Sequence, residues 1–275
     1  MIDHLLNLLS YSFVQDMLLA GVLVAMVGGL VSRFVVARNM SFAVHALAEV
    51  GFTGAAGFIL IGLSPVFGFL SGSLLTALVI GLLGLRVRER DTVVGVVISF
   101  GLGLGVLFLT LYPHYSSEAF SLLFGAITTV SQGELGLLAV MAILTIVGLA
   151  LMYRPLTFAT VDPVVAEARG VPVRLISVLF LVLLAVAEAV QIVGVLLILT
   201  LLITPGATAE RLTAHPGWGT LISMTVALVA TVGGILAALV SNVPVSFYVS
   251  AIAFCCYLAA RLLVPALGQL RRARV

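Results

Sequence analysis

Lysine is absent from all 275 residues, so the 13 basic side chains are all arginine. A phosphate loop of the form GxxxxGK[ST] needs a lysine on the nucleotide phosphates, so this chain cannot be an ATPase of that kind. Charge of either sign is scarce: Asp, Glu, Lys and Arg make up 9% of the chain, against 62% hydrophobic residues. A water-soluble domain of this length cannot cover its surface with so little charge, and an integral membrane protein is expected. The net charge of +2, spread over dispersed arginines, does not make the basic patch a nucleic-acid binder needs. The only cysteines, Cys255 and Cys256, are adjacent in an apolar stretch. Neighbours on one helix do not face each other, so no disulfide or metal clip is expected between them, and both are read as packing groups. No extended polar domain or charge-rich linker interrupts the chain, so one transmembrane domain is expected over 1–275, with no convincing internal repeat. The opening MIDHLLNLLSYSFVQD has neither a basic n-region nor a small-residue cleavage site, and no cleaved signal peptide is expected.

What the chain has instead is long apolar runs, at about 17–37, 42–62, 65–85, 93–112, 135–153, 175–204, 219–240 and 245–264. Each is long enough to cross a ~30 Å hydrocarbon core. They are continuous rather than alternating, which favours helices over a barrel. The expected fold is all-α, a polytopic membrane protein with 8–9 transmembrane helices. Arginines cluster at Arg33 and Arg38, at Arg86, Arg88 and Arg90, at Arg154, Arg169 and Arg174, and at Arg271, Arg272 and Arg274. Cytoplasmic loops carry such excess, which puts the N-terminus outside. Eight crossings would then leave the basic tail outside as well. The run at 175–204 resolves this if it is a hairpin of two thin halves turning at 187–194, for nine crossings with the C-terminus inside. Gly51, Gly54 and Gly57 in the second run, and Gly101, Gly103 and Gly105 in the fourth, predict close helix packing.

Two ionisable groups stand out in MSFAVHALAEVGFTGAAGF, residues 40–58. His45 and Glu49 are four apart and share one helical face. Glu49 lies about 11 residues, roughly 16 Å, from Arg38, close to mid-bilayer. A charge there costs ~2.5 kcal/mol or more unless it has a cavity and a partner. The pair either ties helices together or forms a transient cation site. Imidazole plus carboxylate suits zinc, manganese or iron better than calcium or magnesium. Two ligands are too few for selective binding, but a two-fold dimer supplies four around an axial path. Glu188 is the other embedded carboxylate; it lines the outer vestibule or caps the hairpin with Gln191. His114 and Glu118, in YPHYSSEAF, are read as solvated loop residues. Asp3, His4 and Asp16 carry no signal.

The segment RPLTFATVDPVVAEARGVPVR, residues 154–174, is polar enough to leave the membrane. Pro155, Pro163 and Pro172 punctuate a short helix that Asp162 caps, with Pro163 as its first residue and Gly170 at its end. Lying across the cytoplasmic mouth, it is either a docking knob for a soluble partner or an ordinary connecting loop.

Four stretches in this order resemble one family, the permease subunits of bacterial ABC importers for zinc, manganese and iron. RNMSFAVHALAEVGFTGAAGF is similar to the family's arginine, Met-Ser-Phe, Asp-Ala-Leu-Ser-His-Ala and glycine-rich continuation. SLLFGAITTVSQGEL is similar to its Leu-Phe-Gly followed by Val-Ser. FATVDPVVAEARGVPVR looks like its coupling helix, and VGVLLILTLLITPGATAERL like its Val-Gly, leucine run, Pro and Ala-Thr-Ala. Where the family has aspartate this chain has His45, where it has histidine Glu49, and Thr53 stands near a position usually held by proline. The exchange keeps one imidazole and one carboxylate.

The resemblance implies a homodimeric permease in the bacterial plasma membrane, itself no enzyme and with no permanently bound cofactor. It implies transport of Zn2+ or Mn2+, possible for Fe2+ too, with His45, Glu49 and Glu188 as candidate metal residues. Two copies of a separate ABC ATPase would hold ATP and dock on a coupling helix at about 157–173, through Asp162, Glu167, Ala168 and Gly170. An extracytoplasmic metal-binding protein would deliver the ion. The competing readings are a proton-coupled secondary cation transporter, with His45 and Glu49 as a proton relay, an ABC permease for a metal chelate or vitamin, and a structural membrane subunit.

Overall fold

The structure, a computed structural model, describes residues 11–83, 87–111, 132–188, 195–241 and 243–272. These fold into helices α1 (Ser12–Ala37), α2 (Ser41–Leu60), α3 (Pro65–Leu83), α4 (Val87–Thr110), α5 (Gln132–Val161), α6 (Pro163–Ala168), α7 (Val173–Glu188), α8 (Val195–Leu212), α9 (Pro216–Val240) and α10 (Val245–Arg272). Among the described residues seven helices are long and apolar enough to cross a membrane. The run at 175–204 is divided between α7 and α8, two helices rather than one; the turn expected at 187–194 lies, apart from its first two residues, outside the described residues.

The direction of each helix follows from its contacts. Gln132 donates to Asp16 at 3.2 Å, so α1 and α5 start at the same end of the bundle. At the other end Arg33 pairs with Glu210 of α8 at 2.9 Å, and Arg38 reaches Thr160 of α5 and Ser177 of α7. The Arg33 side chain lies over Gly219 at the start of α9, and Tyr257 of α10 accepts from Arg261 beside Arg211. Helix α7 therefore leaves the arginine end and α8 returns to it, as the two halves of a hairpin must. Among the described residues, with α7 and α8 counted, nine helices alternate in direction, and the start of α1 and the end of α10 lie at opposite ends.

Helix α1 is the central post. Its small residues admit α9 on one side, with Gly21 against Thr231 and Ile235 and Gly29 against Met224. On the other side Gly28 meets Leu201 of α8. Without strong hydrophobic drive between helices in lipid, such close approach and interhelical hydrogen bonds hold the bundle together. Ser223 Oγ donates to the Gly29 carbonyl at 2.7 Å. Pro205 within α8 has no N–H for the Leu201 carbonyl four residues back. One residue on, the Gly206 N–H donates to Ser32 Oγ at 2.7 Å across the interface, where no side chain at 206 could fit.

A second layer is formed by α2, α3 and α4. Gly54 and Gly68 bring the backbones of α2 and α3 into direct contact, and Gly72 sits against the Val50 carbonyl. Ser73 Oγ donates to the Leu47 carbonyl at 3.0 Å. Helix α4 runs parallel to α2, with Gly101 on Val50 and Gly105 on Thr53, while Gly57 faces Phe108. Gly103, expected to pack, has nothing near its absent side chain. It sits on the outward face of α4 with Phe100 and Val106, which are 73% and 56% exposed. Cys255, expected to be packed, is exposed on α10, and both cysteines are free thiols.

The segment read as polar from 154 opens on helix, with α5 running through Pro155 to Val161. Only one turn-closing bond is lost to the proline, close to the helix end. Asp162 then breaks the helix and caps α6, accepting from the Val165 N–H at 3.0 Å, with Pro163 as the first residue. Gly170 takes φ +81°, which lets the Gly170 and Val171 N–H groups bond back to Glu167 and Ala166 and closes α6 after six residues.

Candidate metal pathway

The candidate site begins at the reversal between α1 and α2. Asn39 adopts φ +53°, a left-handed conformation that asparagine tolerates better than most residues. Its N–H bonds to the Val36 carbonyl and the Met40 N–H to the Val35 carbonyl, so one αL residue turns the chain from α1 directly into α2. Helix α2 then carries Phe42, His45 and Glu49 along one open stripe, while Ala43, Val44, Ala46, Leu47 and Ala48 are buried.

His45 Nε2 stands 3.8 Å from Glu49 Oε1, too long for a hydrogen bond but close enough for both to face one ion. Their side chains are 45% and 25% exposed in the single chain. At 1.5 Å per residue Glu49 is about 12 Å beyond the start of α2, well inside the bundle's depth. One turn beyond Glu49 the same stripe closes against α4. Thr53 Oγ1 lies 3.2 Å from the Glu49 carbonyl and 2.8 Å from the Gly101 carbonyl of α4, so its hydroxyl binds α4 one turn beyond the carboxylate.

Glu188 does not join them. Among the described residues no three His, Cys, Asp or Glu side chains come together. Glu188 is fully buried at the end of α7, and neither carboxylate oxygen has a hydrogen-bond partner. His114, Glu118, Asp3 and His4 lie outside the described residues. Asp16, read as carrying no signal, accepts from Gln132.

At the arginine end, α6 buries only Ala166 and presents the rest. Val164 is 75% exposed and Val165 42%, beside Glu167, Ala168 and Gly170, and Val161 just before the cap is 74% exposed. An apolar knob of this kind, with its polar ends capped, suits a protein partner better than water. Two features lay beyond sequence reasoning: the Arg33–Glu210 pair and the Ser32–Gly206 bond each join residues more than 170 positions apart. Their one local sign was Pro205-Gly206 inside an apolar run.

The ABC 3 transport family model matches residues 10–264, nearly the whole described bundle. The chain belongs to that family. Among the relatives of this family member, it is 33% identical to the manganese transport system membrane protein MntC of Halalkalibacterium halodurans, over 75% of this chain and 72% of that one. It is 29% identical to the manganese import system permease protein ScaB of Streptococcus parasanguinis, over 87% and 86% of the two chains. In fold it is similar to PsaBC from Streptococcus pneumoniae in complex with Fab, with TM-score 0.84 and 26% identity over 99% of this chain and 100% of that chain. The family member is thus a multi-pass transporter subunit, and the resemblance seen in its four sequence stretches is borne out.

Proposed function

We propose that this permease carries a divalent transition metal ion, manganese foremost and zinc as the competitor, into the cell at the expense of ATP bound by a separate ATPase. The observation that carries this reading is the His45–Glu49 pair, 3.8 Å apart on an open face of α2 at mid-depth, in a chain of this family. The names of its manganese-transporting relatives support the choice of metal. Two copies facing each other supply two imidazoles and two carboxylates, a shell suited to a first-row divalent ion. Each ligand is partly exposed, which favours release over retention. Because the imidazole must be neutral to ligate, acidification lowers uptake.

The arginine end is the cytoplasmic one by the positive-inside rule, with Arg33, Arg38, Arg154, Arg169, Arg174 and Arg211 gathered there. The N-terminus is then outside and the C-terminus inside, in the plasma membrane of a bacterium. On that side two ATPase copies grip α6, one on each permease copy, through Asp162, Glu167, Ala168 and Gly170, and an extracytoplasmic binding protein delivers the ion at the opposite mouth. Glu188 serves as a second carboxylate on the route, engaged when the α7–α8 hairpin shifts.

The test is uptake of manganese, zinc and iron(II) by proteoliposomes holding the permease, its ATPase and its delivery protein, for wild type and His45→Ala/Glu49→Ala. ATP-dependent manganese uptake that disappears in the double variant, with assembly intact, is the expected result. Uptake without ATP would replace this reading by a proton-coupled carrier. Undiminished uptake in the double variant would make the pair a packing contact.

A further inference from the structure

A polar cavity opens at the arginine end, and neither His45 nor Glu49 lines it. It has a volume of about 310 Å3 and lies between the α1–α2 turn, the end of α3, the end of α5 and the start of α7. Among the described residues its polar lining consists of Arg38, Asn39, Thr160, Arg174 and Ser177, with no carboxylate. Two guanidinium groups in the lining repel a divalent cation, so this cavity does not fit the metal's route.

The lining is built to hold a positive surface in place. The Thr160 hydroxyl donates to the Leu156 carbonyl at 2.6 Å and the Ser177 hydroxyl to the Val173 carbonyl at 2.9 Å. Their protons are thereby used, and each oxygen accepts from Arg38, Nη1 to Thr160 at 3.2 Å and Nη2 to Ser177 at 2.6 Å. The guanidinium also lies 6.0 Å from the Phe180 ring. Arg38 is thus fixed in a plane on the cavity wall, while Arg174, one turn before Ser177, is exposed at the mouth with Asn39. Helices α2 and α7 both begin at this cavity, and the first-turn amides of a helix have no acceptor within it and favour an anion. Planar guanidinium donors match phosphate geometry.

We propose that this cavity binds a phosphate group, with Arg38 and Arg174 as its principal donors. Its position at one end of a membrane bundle makes an anionic phospholipid headgroup the natural source, since basic pockets between helices at that boundary take such headgroups. Occupancy would brace the α1–α2 turn against the two helices that flank α6.

The test uses the purified permease–ATPase complex in neutral detergent, with thermal unfolding read at matched ionic strength. Dioctanoyl phosphatidylglycerol, dioctanoyl phosphatidylcholine and inorganic phosphate are compared for wild type, Arg174→Gln and Ser177→Ala. At saturation the phosphatidylglycerol should raise the midpoint by about 3 °C or more, phosphatidylcholine should not, and Arg174→Gln should lose most of the shift. Arg174 is exposed, so this variant folds even where Arg38 variants fail. A shift with phosphatidylglycerol alone identifies a lipid; a shift with inorganic phosphate identifies a soluble anion as sufficient. No shift with either, or a full shift in Arg174→Gln, overturns the proposal.

Discussion

Arg38 donates to Ser177 across 2.6 Å and so fastens the α1–α2 turn, from which the helix carrying His45 and Glu49 starts, to the helix that follows α6. The same guanidinium reaches Thr160, in the last turn before α6. A pull on α6 therefore meets the start of α2 through one side chain. Arg38→Gln should lower stability by about 2 kcal/mol, the scale of lost hydrogen bonds to a charged group, and Ser177→Ala by about 1 kcal/mol. Chemical unfolding of the detergent-solubilised protein measures both. Losses within error of zero for both would leave Arg38 without a structural task here.

Glycine-mediated contact gives a sharp contrast between two positions. A side chain at 54 would collide with the Gly68 backbone, whereas one at 103 would meet nothing. Gly54→Val should abolish recovery of folded protein or cost at least about 3 kcal/mol, the upper range for overpacking, and Gly103→Ala should be neutral within about 0.5 kcal/mol. Size-exclusion profiles and unfolding midpoints of the two variants decide it.

Glu188 offers a separable pair of readouts. Its two carboxylate oxygens are buried and unpartnered, a costly arrangement for polar atoms. Glu188→Leu should therefore leave thermal stability equal to wild type or higher. If the carboxylate also serves the route, the same variant transports manganese at a rate reduced by about tenfold or more. Stability preserved with full transport would remove Glu188 from the pathway.

If α6 docks the proposed ATPase, its exposed valines are where contact is expected. Val164→Asp places a charge at a position 75% exposed, so the permease itself should fold normally. Co-purification with the ATPase should fall about tenfold, as expected when a charge enters the centre of an apolar contact. Unchanged co-purification would direct attention to other surfaces at that end.

Much of this architecture was legible because lipid imposes it. The length of apolar runs and the asymmetry of arginine gave the odd number of crossings, and Asp162-Pro163 together with Gly170 gave the limits of α6 within a few residues. The site was legible to the extent that His45 and Glu49 share a helical face. What escaped was set by neighbours distant in sequence. Pro155 reads as punctuation of the 154–174 segment, yet one missing bond near the terminus is tolerated and α5 continues through it to Val161. Gly103 looked like its neighbours Gly101 and Gly105, but the rotation of α4 on α2 turns it outward. Cys255 was read as packed for its apolar surroundings, and the same surroundings suit a surface that faces lipid.

Where Gly54 meets Gly68, two main chains touch with no side-chain cushion between them. Neither strut can slide past the other without breaking contact, so they form one stiff plank rather than two rods. The far end of that plank carries Gly81, which bears on Val178 of α7. Any tilt of α2 must then carry α3 with it and press on α7 where Gly81 meets Val178. On the reading proposed above, the wall that bears His45 and Glu49 would move as a two-helix panel whose seam is made of glycines.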